Sequence, residues 1–242
     1  RLGVLKDVIK AADVTNVEVL VKRSPELIDR VDENGLCPIL LAVKRGNVQV
    51  VSCLVELGSD INTVDRRRGV SCLQLACRRG HVEVAKYLLC QGANVNASDA
   101  EDGTLGIHWA ARSGNVAMLQ LLLEHGASVV ERDAYGFTPL HWACRGGSVD
   151  ACRFLLQHGA DMEESTFDDC TGLHLACFEG HKELVLHLLE WGADMEAVNV
   201  VGFTPPQLWG FRGAFWHAED QSKVVATHVL GLRSTTGYDD QV

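Results

Sequence analysis

The chain has 242 residues, of which 47% are hydrophobic and 6% are aromatic, and its 32 Asp and Glu outnumber its 22 Lys and Arg. This excess of negative charge argues against nonspecific binding to nucleic acid or to an anionic membrane surface. The charge is also uneven, because residues 1–100 carry 14 basic and 12 acidic side chains, whereas residues 101–242 carry 8 and 20. We therefore expect the two ends of the molecule to differ electrically.

Cysteine usage and the length of apolar segments bear on the compartment. The nine cysteines are an odd count, and several take equivalent places in the repeating pattern described below, as small packing residues do. We expect reduced thiols and therefore an intracellular, cytoplasmic location. No stretch approaches the length of an apolar membrane helix, and the start of the sequence does not resemble a signal peptide. Direct membrane insertion is therefore not expected.

Two series of glycines recur every 33 or 34 residues. Glycine is favoured where the backbone turns with positive φ. A fixed period of this length indicates one supersecondary unit that is stacked many times, and such stacks bind partners more often than they catalyse. The first series is Gly46, Gly80, Gly114, Gly147, Gly180 and Gly213, and the second is Gly58, Gly92, Gly126, Gly159 and Gly192.

In chain order, the pattern predicts a degenerate N-terminal capping repeat over residues 1–33 and then five complete repeats. An atypical repeat follows over residues 200–230, with an insertion near 211–220, and a polar tail occupies 231–242. The insertion is inferred because 21 residues separate Thr204 from Val225, whereas 13 separate Ser71 from Val84. The five complete repeats are predicted at 34–66, 67–100, 101–133, 134–166 and 167–199.

The repeat at 134–166 predicts its internal structure most clearly. Thr138 can cap a short helix whose first turn holds Pro139, where the missing N–H costs nothing. Gly147 then ends this helix, which runs to about Arg145. Apolar residues between 149 and 156 form one face of a second helix. Each repeat is therefore a helix–turn–helix unit.

The segment Thr138-Pro139-Leu140-His141-Trp142-Ala143 resembles the Thr-Pro-Leu-His-x-Ala signature of the ankyrin repeat. The segment from Thr171 to Ala176 is the next best copy, and the resemblance covers roughly residues 34–199. It implies an all-α ankyrin-repeat solenoid with short β-hairpin loops. In this family, partner contacts come mostly from the hairpin tips and from the exposed end of the first helix.

Transferred onto this sequence, those contact positions are basic in the first part of the chain. The ends of the first helices form a predicted basic column, and three arginines lie in the hairpin before Arg78 and Arg79. Arginine matches carboxylates and phosphates in a bidentate way, which favours an acidic or phosphorylated partner. The alternative is that arginine at this helix position belongs to the family framework. The predicted basic contacts are Lys44, Arg45, Arg66, Arg67, Arg68, Arg78, Arg79, Arg112 and Arg145.

From the fourth complete repeat onward, the predicted contact positions become aromatic. Aromatic side chains are typical interface anchors, so we expect apolar partner residues at this end. The alternative for the last of them is a cap that covers the apolar face of the final layer. The predicted tip residues are Tyr135, Phe137, Phe167, Cys170 and Phe203, with Phe178 on the concave face, and the insertion adds Trp209, Phe211, Phe215 and Trp216.

Few residues suggest chemistry. His174, Cys177 and His181 have a spacing that metal ligands sometimes show. We favour a structural interpretation, because His174 takes the signature position where a turn-stabilising hydrogen bond is expected. No nucleophile motif or phosphate-binding glycine loop is evident. We predict no catalytic site, no metal and no cofactor.

Asn62 and Asn96 lie at the crossover asparagine position of the repeat. The resemblance implies hydroxylation by an oxygenase as a modification of these residues. The main prediction is a non-catalytic scaffold or adaptor that binds a partner protein along its concave face. Two alternatives remain open, a permanent structural subunit of a large assembly and a regulatory ankyrin domain of a larger enzyme or channel.

Overall fold

The computed structural model describes residues 2–209, which fall into two compact units. The N-terminal unit ends at Ser128, and the C-terminal unit begins at Val129. The predicted contacts Phe211, Phe215 and Trp216, the predicted insertion and the predicted tail lie outside the described residues.

The described residues form twelve α-helices and two short 3-10 helices, Pro25–Leu27 and Pro205–Leu208. The N-terminal unit contains α1 (Leu2–Lys10), α2 (Val14–Arg23), α3 (Pro38–Arg45), α4 (Val48–Glu56), α5 (Cys72–Arg79), α6 (Val82–Cys90), α7 (Gly106–Arg112) and α8 (Val116–Glu124). The C-terminal unit contains α9 (Pro139–Gly146), α10 (Val149–Gln157), α11 (Gly172–Glu179) and α12 (Lys182–Glu190).

Helix pairs stack in layers within each unit. In the N-terminal unit, the first helices contact one another in the order α1, α3, α5, α7, and the second helices in the order α2, α4, α6, α8. In the C-terminal unit, α9 contacts α11, which contacts the 3-10 helix Pro205–Leu208, and α10 contacts α12. Each layer therefore buries its apolar surface against its sequence neighbours, as in repeat proteins.

A small residue recurs in the first helix of five successive pairs. The absence of a bulky side chain lets neighbouring first helices approach closely, and longer aliphatic residues of the second helices fill the remaining space. These small residues, all fully buried, are Ala42, Ala76 and Ala110 in the N-terminal unit and Ala143 and Ala176 in the C-terminal unit.

The helix boundaries follow the predicted signals. Thr138 caps α9, and its side-chain oxygen accepts a hydrogen bond from the His141 N–H at 3.5 Å, with Pro139 in the first turn. Gly147 follows the helix with φ +73°, which confirms the left-handed turn expected there. The predicted helix is confirmed, and it ends one residue later than Arg145.

The tips between the described helix pairs do not form extended β-hairpins. Within residues 2–209, the pairing is limited to isolated antiparallel bridges, Val64–Ser71 and Ser98–Leu105 in the N-terminal unit and Ser165–Thr171 in the C-terminal unit. Each connects a crossover segment to the residue that precedes the next first helix. The tips are therefore held mainly by side chains.

Candidate interaction surfaces

Buried histidines connect the first helices α9 and α11 to the adjacent crossover. The imidazole Nδ1 of His174 accepts a hydrogen bond from the Thr171 N–H at 3.1 Å, and Nε2 donates to the Phe203 carbonyl at 3.1 Å. His141 makes the same pair of bonds, to the Thr138 N–H and the Glu164 carbonyl. The structural role predicted for His174 is confirmed. Burial lowers the pKa of its imidazole.

The tips are shaped by acidic side chains that the sequence interpretation missed. Asp65 accepts hydrogen bonds from the N–H groups of Arg67 and Arg68 at 2.8 and 2.7 Å. Asp133 accepts bonds from the Tyr135 and Phe137 N–H groups and from the Trp142 indole. The signal was available, because Asp32, Asp65, Asp99 and Asp133 recur with the period of the glycines.

The last turns of α3 and α5 carry the most concentrated positive charge of the N-terminal unit. We call Lys44, Arg45, Arg78 and Arg79 the basic surface. Burial lowers the pKa of Lys44, and the charges of Arg79, Arg45 and Arg78 lower it further, opposed only partly by Asp32. The four predicted cations are thus close enough to repel one another. A bound anion would relieve this repulsion.

The tip arginines beside this surface are partly engaged by neighbouring tips. The Arg67 guanidinium donates to the Glu33 carbonyl at 2.9 Å, and Arg68 Nε lies 3.3 Å from a Glu101 carboxylate oxygen. Arg66 is exposed. Arg78 places its guanidinium carbon 5.1 Å from the Trp109 ring centroid. The contact of these tip arginines and of Arg112 with a partner stays a prediction.

Arg145 in the C-terminal unit has a different environment from the basic surface. Its guanidinium carbon lies 5.4 Å from the Phe137 ring centroid and 5.6 Å from that of Trp142. Arg145 Nε is 3.8 Å from a Glu179 carboxylate oxygen, and the two side chains are only 9% and 6% exposed. The charge of Arg145 is therefore compensated within the protein, and its contact with a partner stays a prediction.

Three of the contact residues predicted in the C-terminal unit are buried, so their predicted exposure is wrong. Phe137, Cys170 and Phe178 are 3%, 1% and 8% exposed, and are therefore core residues rather than contact residues. Large apolar side chains in a layered stack gain more free energy inside a layer than at its edge. Tyr135 and Phe167 are exposed, at 40% and 67%. Phe203 is half-buried.

Within residues 129–209, an apolar groove lies between α11, α12 and the 3-10 helix Pro205–Leu208. Its volume is about 470 Å³, and its lining includes Leu173, Leu189, Met195 and Trp209. Trp209 is 45% exposed at its rim. The groove corresponds to the face that a further layer covers elsewhere in the stack.

The two crossover asparagines predicted as modification sites are both exposed. The Asn62 side-chain oxygen accepts a hydrogen bond from the Asn94 N–H at 3.0 Å, and the Asn96 N–H donates to the Asn94 side chain at 3.0 Å. The Asn62 side chain thus ties two successive crossovers together, whereas the Asn96 bond lies within one crossover. Hydroxylation of either residue stays a prediction.

All nine cysteines lie within the described part of the chain, and none forms a disulfide. Eight are buried and Cys90 is exposed. Burial raises the pKa of Cys77 and Cys170 to about 12 and that of Cys177 to about 11. These thiols stay protonated near neutral pH and act as small packing residues.

No group of three or more His, Cys, Asp or Glu side chains within residues 2–209 is arranged to hold a metal ion. His181 of the predicted His-Cys-His motif directs its Nε2 to the Arg145 carbonyl at 3.0 Å. The motif therefore serves packing and hydrogen bonding. Among the described helices, none is both long and apolar enough to cross a membrane.

Comparison with known proteins identifies the repeat. Residues 7–99 and 107–199 match the family described as ankyrin repeats (3 copies). No curated protein sequence matches the chain significantly. Among 599 matching solved chains is the crystal structure of the ankyrin repeat domain of Bcl-3, described as a unique member of the IkappaB protein family. It is 27% identical, with a TM-score of 0.70, and the match covers 85% of this chain and 92% of that one. The chain belongs to the ankyrin-repeat family.

Proposed function

We propose that this protein is a non-catalytic scaffold or adaptor, and that its basic surface binds an acidic or phosphorylated segment of a partner protein. Stacked repeats offer an extended surface on a shared framework, which suits the binding of proteins. The partner is selected by the side chains on that framework and not by the fold. The basic surface is the strongest such feature in the N-terminal unit.

One observation carries the proposal, which is that the contacting helices α3 and α5 each carry two cations in their last turn. The pKa of Lys44 is lowered by burial and by three neighbouring guanidinium groups. Like charges that are held close together repel one another, and a bound anion reduces this repulsion. A carboxylate or phosphate would accept charge-assisted hydrogen bonds from several of these groups at once.

The charge of the whole chain makes this surface selective. With a formal charge of −10, the protein repels most polyanions at a distance. A short anionic segment of a protein can reach the local positive charge within a screening length of about 8 Å at physiological salt. A long nucleic acid would also meet the surrounding negative charge.

The second candidate function is a permanent subunit of a larger assembly. The apolar groove that ends with Trp209 favours it, because permanent interfaces are larger and more apolar than transient ones. In that case, the basic surface would contribute little to association, and affinity would change little with salt.

The test uses fluorescence anisotropy with two short labelled peptides, one rich in Glu and one carrying phosphoserines. We expect binding that weakens with rising NaCl and that falls by about tenfold or more in Arg78→Glu/Arg79→Glu, since tenfold corresponds to about 1.4 kcal/mol. The matched control is Lys86→Glu, which reverses an exposed cation on α6. Circular dichroism would verify that all variants fold.

Binding that is insensitive both to salt and to reversal of Arg78 and Arg79 would refute the acidic-partner proposal. If Lys86→Glu weakened binding equally, the effect would come from net charge and not from the basic surface. Tighter binding of the phosphoserine peptide than of the Glu peptide would identify phosphorylated segments as the preferred class.

A further inference from the structure

Three successive tips of the C-terminal unit expose apolar side chains. Tyr135, Phe167 and Val200 are 40%, 67% and 55% exposed. The Phe167 N–H donates to the Tyr135 carbonyl at 3.3 Å, and the Val200 N–H donates to the Asp168 carbonyl at 3.1 Å. The three tips are therefore adjacent. We call Tyr135, Phe167, Asp168, Asp169 and Val200 the aromatic tip surface.

Phe167, at the centre of this surface, is held on one side. Gly136 has φ +80°, and a Cβ there would lie 2.8 Å from a Phe167 ring carbon, so the ring rests on bare backbone. The Arg132 guanidinium carbon lies 5.9 Å from the ring centroid. Arg132 is itself fixed by the Ser165 carbonyl at 2.9 Å and by the Glu164 carboxylate.

These contacts restrict the positions open to the Phe167 ring, although most of the side chain faces solvent. A preorganised aromatic ring loses little conformational entropy when a partner covers its open side. Such rings are the common anchors of protein interfaces. Gly136 leaves room for the Phe167 ring, because any side chain at position 136 would displace that ring.

Negative charge accompanies the exposed ring. Asp168 and Asp169 follow Phe167 directly, and neither takes part in the ion pairs of residues 129–209. Burial and the neighbouring Asp169 charge raise the pKa of Asp168. Residues 129–209 contain 13 Asp and Glu but only 4 Lys and Arg. Three of those four cations already pair with carboxylates of their own unit.

We propose that the aromatic tip surface binds a partner segment in which an apolar side chain is flanked by Lys or Arg. The apolar side chain covers Phe167 and Tyr135, and the cations pair with Asp168 and Asp169. This site goes beyond the proposed function, because it lies in the other unit and selects the opposite charge. The protein then carries two surfaces with complementary charge preferences, which suits an adaptor.

The test measures the binding of three short fluorescein-labelled peptides to the full chain. The Lys–Leu peptide contains Leu flanked by Lys. The Lys–Ser peptide has Ser in place of Leu, and the third peptide has Gln in place of Lys. We expect the Lys–Leu peptide to bind best. Phe167→Ser should weaken it by about tenfold, the range of a central anchor. Asp168→Asn/Asp169→Asn should weaken it and reduce its salt dependence. Phe167→Tyr should retain binding.

The matched control is Leu186→Ser, which removes an apolar side chain that is 54% exposed on α12. It should leave the affinity of the Lys–Leu peptide unchanged. Amide chemical shifts of the ¹⁵N-labelled protein should change at Asp168, Asp169 and Tyr135 on titration. Equal binding by wild type and Phe167→Ser would overturn the proposal, as would shift changes confined to other acidic loops.

The two sites can fail separately. Reversal of Arg78 and Arg79 should leave Lys–Leu binding intact, and Phe167→Ser should leave binding of the acidic peptides intact. If the Lys–Ser peptide bound as tightly as the Lys–Leu peptide, attraction to net negative charge would be the whole effect, and the aromatic tip surface would be refuted.

Discussion

The same repeat position carries opposite charge in the two units. Arg79 ends α5 of the N-terminal unit, and Glu179 ends α11 of the C-terminal unit. Lys44 therefore faces guanidinium groups that lower its pKa, whereas Arg145 faces a carboxylate at 3.8 Å. One framework thus places like charges beside Lys44 in the N-terminal unit and a carboxylate beside Arg145 in the C-terminal unit.

The tips differ in the same way. The N-terminal unit presents Arg66, Arg67 and Arg68 at one tip, and the C-terminal unit presents Tyr135 and Phe167 on adjacent tips. Exposed side chains at tips contribute little to stacking, so they can vary at little cost to the fold. The units therefore share their architecture, whereas the side chains at these tips differ in chemical character.

We expect the largest loss of stability when the glycines that follow the first helices are replaced. Because both units share this framework, the loss should be equal in the two units. A Cβ at Gly46 would lie 2.6 Å from the His81 ring, and a Cβ at Gly147 would lie 2.6 Å from the His181 ring. Gly46→Val and Gly147→Val should each destabilise by about 3 kcal/mol, from steric overlap and left-handed strain together. Urea unfolding midpoints measure the effect.

The control for this prediction is Gly180→Val. Gly180 has φ +79°, and no atom of residues 2–209 lies within 4 Å of the added Cβ, so these residues leave only backbone strain of about 1–2 kcal/mol. A Gly147→Val midpoint equal to that of Gly180→Val would show that the histidine ring yields freely. Unequal effects at positions 46 and 147 would break the assumption of a common framework.

The ion pair between Arg145 and Glu179 in the C-terminal unit predicts an intermediate loss of stability when it is broken. Glu179→Gln leaves the mostly buried Arg145 charge without its carboxylate and should destabilise by about 1–2 kcal/mol. Arg45→Gln in the N-terminal unit removes an exposed charge that repels Lys44, so its stability should change by less than about 0.5 kcal/mol. Thermal unfolding of both variants compares them, and a harmless Glu179→Gln would contradict the internal neutralisation.

The smallest effect concerns pH. Burial lowers the pKa of His174 in the folded state from 6.5, so the unfolded state takes up a proton that the folded state does not. The stability that comes from burying neutral His174 is fully present above pH 6.5. It is lost as the pH falls toward and through the lowered folded-state pKa. Unfolding free energy should therefore decline on mild acidification.

His174→Gln should reduce this decline. The chain offers the precedent, because Gln74 in the N-terminal unit accepts a hydrogen bond from the Ser71 N–H at 2.7 Å, as His174 does from the Thr171 N–H. The measurement compares urea unfolding of wild type and variant at neutral and mildly acidic pH. Parallel pH profiles would show that His174 does not contribute to the acid sensitivity.

Much of the architecture could be predicted because it depends on short-range signals. Thr138, Pro139 and Gly147 act through hydrogen bonds and backbone angles within a few residues, so their effect is legible in the sequence. The role of His174 was equally accessible, since its first partner is three residues away. The recurring tip aspartates also bond to backbone N–H groups within a few residues, so their role could have been predicted in the same way.

The sequence by itself determined the repeat, the helix pairs and the uneven charge, because the period and the capping residues are local properties. Only the tertiary structure decided which contact residues reach solvent. Phe137 and Phe178 are buried while Phe167 is exposed, and Arg145 is compensated by a residue 34 positions later. These outcomes depend on which side chain the next layer brings close, and that proximity follows from stacking and not from neighbours along the chain.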